Sequence, residues 1–182
     1  MAPVKLRWVR SKKWMASDIA RLQGPVAMDD LLLARAVHVL AVLLWIGGVA
    51  FVTMILLPAI RRSVPPERRL AEFHRFEGRF APQARLWVLA AGLSGVWMTW
   101  RADLWDRFAD PHAWWMHAMA AVWLAFAAML FVVEPLHLHK RMAESPDPAK
   151  DFARIERLHR VALALSLLTV AGAVAGSHGW AF

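Results

Sequence analysis

The chain has no cysteine and no tyrosine among its 182 residues. Without cysteine there can be no disulfide, thiolate metal ligand, iron–sulfur cluster or covalently attached c-type haem. The sequence also lacks a P-loop, a glycine-rich dinucleotide fingerprint, a zinc-finger spacing and a nucleophile elbow. Residues Met1–Ala27 contain no long apolar stretch, so they do not read as a secretory signal. Acids are outnumbered: 14 Asp and Glu face 22 Lys and Arg, a formal charge of +8.

What is abundant is apolar. Hydrophobic residues make up 59% of the chain, tryptophan occurs 11 times, and the mean hydropathy is +0.39. Four segments are long and apolar enough to suggest spans: Leu31–Ile60, Ala84–Trp100, Ala113–Leu136 and Val161–Trp180. Each comes near the roughly 20 residues that a hydrocarbon core of about 30 Å requires, the second only with its flanks. The expected fold is an all-α integral membrane protein, a four-helix up-and-down transmembrane bundle in one domain over 28–182. A basic tail, 1–27, precedes it as a surface amphipathic helix or an unstructured segment, and Met28 is an alternative start. The basic residues flank the spans, so phospholipid head groups and not nucleic acid are the expected partner.

Between spans one and two, Leu70, Phe73, Phe76 and Phe80 follow one helical stripe behind Pro65-Pro66, which predicts a separate interfacial helix. Connections one and three, Arg61–Arg85 and His137–Arg160, carry 13 positive residues, against eight in the tail and connection two. The positive-inside rule then puts those connections in the cytoplasm and both termini outside, periplasmic in a bacterial-type inner membrane. Six tryptophans, Trp97, Trp100, Trp105, Trp114, Trp115 and Trp180, would belt the outer surface.

Two histidines stand at matching depth inside apolar segments, His38 and His117. An ionisable side chain in hydrocarbon needs a partner and is a functional hypothesis by default. Paired from opposite faces they would ligate one haem iron, with His178 as the alternate ligand and Arg35, one turn above His38, for a haem propionate. The competing reading is a hydrogen-bonded packing histidine. Ala91, Gly95 and Thr99, and Gly172 and Gly176, likewise read as close helix contacts. Glu134 is expected to neutralise an arginine of connection one, with a proton path as the other option. His137 and His139 read as a solvated basic rim, and His159 as snorkelling beside Arg157 and Arg160.

The run His38-Val-Leu-Ala-Val-Leu-Leu-Trp45-Ile-Gly47-Gly48, continuing to Leu57-Pro58-Ala59 and Arg61, resembles the first helix of the CopD-type copper-resistance membrane family and of the related HemJ-type proteins. The charged helix around Glu67-Arg68-Arg69-Leu70 and the opening Trp115-Met116-His117-Ala118 are similar in order, so the likeness runs from Asp30 to Leu136. It implies a haem-b-binding or copper-handling helical membrane protein, with His38 as the first axial ligand. Met119 stands where HemJ-type proteins carry Lys, and Arg157-Leu158-His159-Arg160 where they carry Asn-Glu-x-Pro, so porphyrinogen oxidation does not carry over. The functional expectation is haem b electron transfer, compatible with a membrane oxidoreductase, to or from quinone or a redox partner protein. The alternatives are CopD-like copper handling, or a cofactor-free accessory subunit of a larger complex; a homo-oligomer is also compatible.

Overall fold

The computed structural model describes residues 25–138 and 145–178. The expected basic tail lies outside them as far as residue 24, as do His139 and Trp180. Every regular element among the described residues is helical. Helix α1 (Pro25–Phe51) passes through a π-helical turn (Val52–Leu56) into a last α-helical stretch, Leu57–Ser63. Helix α2 is Arg69–Arg101, α3 is Trp114–Ala128 running on as a π-helix over Met129–Leu138, and α4 is Pro148–Ser177.

Three helices are long and apolar enough to cross a membrane: Asp29–Ser63, Pro111–Pro135 and Pro148–Ser177. Helix α2 does not qualify. Its apolar part is only residues 84–100, and Arg85 and Arg101 stand at its ends. The expected interfacial helix is not separate either. The Leu70–Phe80 stripe and the second apolar segment form one continuous helix of 33 residues. Its buried positions, Leu70, Phe73, Ala81, Ala84, Val88, Ala91 and Ser94, lie at steps of three, four and eight residues along one face. A single face serves both halves, and the helix runs on through Pro82 between them.

Helix α4 begins earlier than the apolar pattern suggests. Asp147 caps it by accepting from the Lys150 backbone N–H at 3.1 Å, and Pro148 occupies the first turn, where a missing N–H is harmless. The turn signal at Ser145–Pro148 is thus a helix start, and most of the third connection belongs to α4.

Neighbours are antiparallel. Arg101 at the end of α2 pairs with Asp30 near the start of α1 at 3.2 Å. Arg61 at the end of α1 reaches Glu156 in the early turns of α4, also at 3.2 Å. Helices α2 and α4 touch across the short diagonal. That leaves α1 and α3 as the far pair, as short connections imply, joined edge to face through Trp45 and Phe126 at 4.9 Å between ring centroids.

The small-residue stripes hold aromatic rings instead of neighbouring backbones. A Cβ on Gly172 would sit 2.4 Å from the Trp114 ring, and one on Gly176 2.5 Å from Trp115. Gly92 takes Trp123 and Gly48 takes Phe80 in the same way. Trp114 and Trp115 therefore pack α3 on α4, whereas Trp97, Trp100 and Trp105 are exposed.

Polarity is arranged inside out. Thr53, Ser94, Glu134, Glu156, Ser166 and Thr169 are buried, while Leu33, Leu43, Met54, Leu93, Leu124 and Leu168 point outward with roughly half or more of their surface open. Such an arrangement suits a hydrocarbon solvent, where apolar surface faces out and polar groups must find partners inside. The apolar helices are compatible with direct contact to a lipid bilayer.

Candidate functional site

His38 lies on the α1–α2 seam, half-buried. Its Nδ1–H donates to the Ala91 carbonyl oxygen at 2.9 Å, and the Ser94 hydroxyl lies 3.2 Å from the same nitrogen. Gly95 makes room for it: a Cβ there would meet the imidazole at 3.2 Å. The small residues of α2 thus seat this ring, and the backbone bond fixes its orientation and leaves Nε2 as the ring's other polar atom.

His117 is exposed and engaged elsewhere. Its Nε2–H donates to the Phe108 carbonyl at 2.9 Å, and its ring packs edge-on against Phe108. The two histidines are therefore held by different parts of the molecule, His38 by α2 and His117 by the 3-10 turn Trp105–Phe108. His38 stands opposite Ala91–Gly95, and Trp123 stands opposite Gly92 while donating to the Val88 carbonyl at 2.8 Å. Six residues back along α3, about 9 Å at 1.5 Å per residue, His117 lies from that level toward the Arg101 end of α2. Arg35 is exposed one turn before His38.

His178 caps the end of α4, its Nδ1–H donating to the Val174 carbonyl at 2.8 Å, exposed. His112 is exposed in the α2–α3 connection. His74 bonds Glu77 at 2.7 Å. Among the described residues no group of three or more His, Asp or Glu is placed to hold a metal ion.

Glu134 does what was expected of it. Arg85, the last residue of connection one, pairs with it at 3.0 Å and also donates to the Leu130 carbonyl at 3.1 Å. A second buried acid, Glu156, is held by Arg61 and Arg160.

A cleft of about 400 Å³ opens between all four helices below the level of His38. Its walls are mostly apolar and aromatic: Trp45, Phe73, Phe80, Phe126 and Leu130 among them, with Glu77, Arg79, Gln83, Glu134 and His159 as polar members. Both π-helical segments border it, through Val52 and Leu56 on one side and Met129, Leu130 and Glu134 on the other. Each π segment precedes or contains a proline, Pro58 or Pro135, whose ring would clash with a carbonyl in an unbroken α-helix. His159 is not a snorkelling residue. It is half-buried in α4, donates from Nδ1–H to the Ile155 carbonyl at 2.9 Å, and packs on Phe73. No single segment of the sequence signals the cleft, because its walls come from four separate helices.

No protein-family model matches this chain, and neither a curated protein nor a solved structure does.

Proposed function

We propose that the chain is a four-helix transmembrane bundle of a bacterial-type inner membrane that binds b-type haem through His38 and carries electrons within the bilayer. The observation that supports this is the bond from His38 Nδ1–H to the Ala91 carbonyl. Metal-ligating histidines characteristically donate one ring N–H to a carbonyl or carboxylate, which sets the tautomer and aims the other nitrogen. His117, with one nitrogen likewise committed to a backbone carbonyl, is the second ligand of this reading, and Arg35 the propionate partner. Haem b supplies one-electron chemistry. The residues of this chain would orient the ligand ring and supply a charge one turn from it. In this arrangement α2 completes the bundle as the fourth span, its Arg85 neutralised by Glu134. The likeness to the CopD-type and HemJ-type proteins points to the same residue.

Absorption spectroscopy of the purified full chain tests the reading. A Soret band with reduced α and β bands is expected, lost in His38→Ala and in His117→Ala and retained in His178→Ala. Spectra unchanged in both of the first two variants reject the pair. Bound copper without that spectrum would turn the assignment to copper handling, and a colourless, metal-free protein that co-purifies with partner subunits would make it an accessory subunit.

A further inference from the structure

Glu156 exposes only 8% of its side chain, yet two arginines share it: Arg61 from the end of α1 and Arg160 from the next turn of α4. Their side chains stay 59% and 60% exposed. One buried carboxylate thus gathers two guanidiniums at the α1–α4 seam, and its single charge offsets only one of them. Arg61 commits one nitrogen, Nη1, to the carboxylate oxygens at 3.4 and 3.2 Å, and Arg160 commits only Nη2. A guanidinium carries five N–H donors, so most of each fork has no partner among the described residues. Arg62 and Arg157, next in sequence to Arg61 and Glu156, are exposed and have no carboxylate partner among the described residues. The 3-10 turn Pro66–Arg68 also touches α4, but its Glu67 and Arg68 cancel. Four arginines therefore stand against one glutamate. Long stems with like charges would spread apart in water; the buried carboxylate holds two of them side by side.

The same surface turns apolar within two turns. Ala164, Leu167 and Leu168 follow Arg160 at steps of four, seven and eight residues, on its face of α4, and all three are exposed. The two leucines lie about 10–12 Å along the helix from it. Because α1 runs antiparallel to α4, its exposed Met54 and Ile55 lie in the same direction from Arg61. We infer that the Arg61–Glu156–Arg160 cluster is a site for one anionic phospholipid, whose phosphate accepts from the remaining guanidinium donors and whose acyl chains lie along Leu167, Leu168 and Met54. The inference rests on the membrane placement proposed above and not on the haem. It goes beyond the general attraction of a basic surface for head groups, because a fixed pair of forks makes one site where a diffuse charge makes none. Phosphate matches the planar fork of arginine, and basic clusters where helices meet the membrane surface take such head groups. The excess positive charge selects a lipid without a cation of its own, since a choline or ethanolamine group would meet four arginines. A free phosphate would gain nothing from the apolar stripe beside the cations.

Native mass spectrometry of the detergent-solubilised full chain, titrated with phosphatidylglycerol or phosphatidylcholine, tests this. One saturable phosphatidylglycerol is expected, bound more tightly than phosphatidylcholine and not displaced by inorganic phosphate. Arg61→Lys with Arg160→Lys keeps both charges on Glu156 but removes the forks, and should weaken binding about tenfold, within the worth of two net hydrogen bonds. Arg62→Gln with Arg157→Gln touches no ion pair, which keeps the test informative if the lysine variant misfolds, and should weaken binding about fivefold for each charge removed. Arg107→Gln, at the opposite end of the molecule, should change nothing. Equal binding of the two lipids, full affinity in both double variants, an equal loss in Arg107→Gln, or displacement by inorganic phosphate would each overturn the inference. Flotation of the expressed chain with membranes reports separately on the membrane reading, and the Soret band on the haem.

Discussion

At the scale of single residues, the buried charges decide more than the histidines do. Glu134 is nearly enclosed and Arg85 about one-third exposed. Removing the acid strands a guanidinium against apolar walls, whereas removing both leaves ordinary packing. Glu134→Ala should therefore cost about 2 kcal/mol, less than a fully buried pair because Arg85 keeps partial access to solvent. Adding Arg85→Leu should recover most of that loss. Thermal unfolding of the detergent-solubilised protein measures both, and no recovery in the double variant would show that the pair is not coupled. The Asp147 cap makes a pH prediction. Its hydrogen bonds from Lys150 hold the carboxyl below the usual carboxylate range. Its contribution is thus present above the unfolded-state value and disappears as pH falls through the folded one. Asp147→Ala should lower the unfolding midpoint at neutral pH, and the difference from wild type should vanish in acid.

At the scale of elements, each helix shows how a local rule yields to packing. Buried residues on the α1 rod fall at Ala41, Trp45, Val49, Val52 and Thr53, then Leu57 and Ile60. The adjacent pair Val52 and Thr53 falls in the π-helical turn, where the Leu57 N–H, five residues on, bonds the Val52 carbonyl. That extra residue keeps one face toward the bundle while Pro58 is accommodated. Helix α3 has no fully buried residue between Trp114 and Ala128, so its attachment to α4 relies on rings set over glycines. Gly172→Ala should displace Trp114 and destabilise the α3–α4 pair by about 1–3 kcal/mol, the usual cost of overpacking. The check is a lower unfolding midpoint together with a shifted tryptophan emission. An unchanged midpoint would mean that the ring is not seated there.

At the scale of the whole molecule, charge asymmetry and antiparallel packing agree. The Asp30–Arg101 pair marks one end, and the Arg61–Glu156–Arg160 cluster marks the other. In the proposed topology, the end rich in arginine is the one that the positive-inside rule would put in the cytoplasm. The absence of native cysteine makes single-cysteine labelling clean. Ser63→Cys and Asp103→Cys should be labelled from opposite sides of sealed vesicles, and labelling from the same side would reject the topology.

Hydropathy along the chain was enough to place α1 and α3 almost to their ends and to class the protein as helical and apolar, because a span is a local property of about 20 consecutive side chains. That Glu134 would take an arginine of connection one was legible too, since a carboxylate at the end of an apolar run demands a cation, but which of the seven arginines it takes was decided by packing. Other features depended on how separate segments meet. Whether the Leu70–Phe80 stripe lies flat or continues into the next helix is decided by the face shared along α2. The glycines were legible as close approach, but the occupants of the space, Trp114, Trp115, Trp123 and the His38 ring, are chosen only once helices pair. The cleft around Trp45 exists in no single segment: four helices supply its walls. Arg61 and Glu156 stand 95 residues apart in the chain, so the carboxylate that Arg61 shares with Arg160 could be seen only in the tertiary structure.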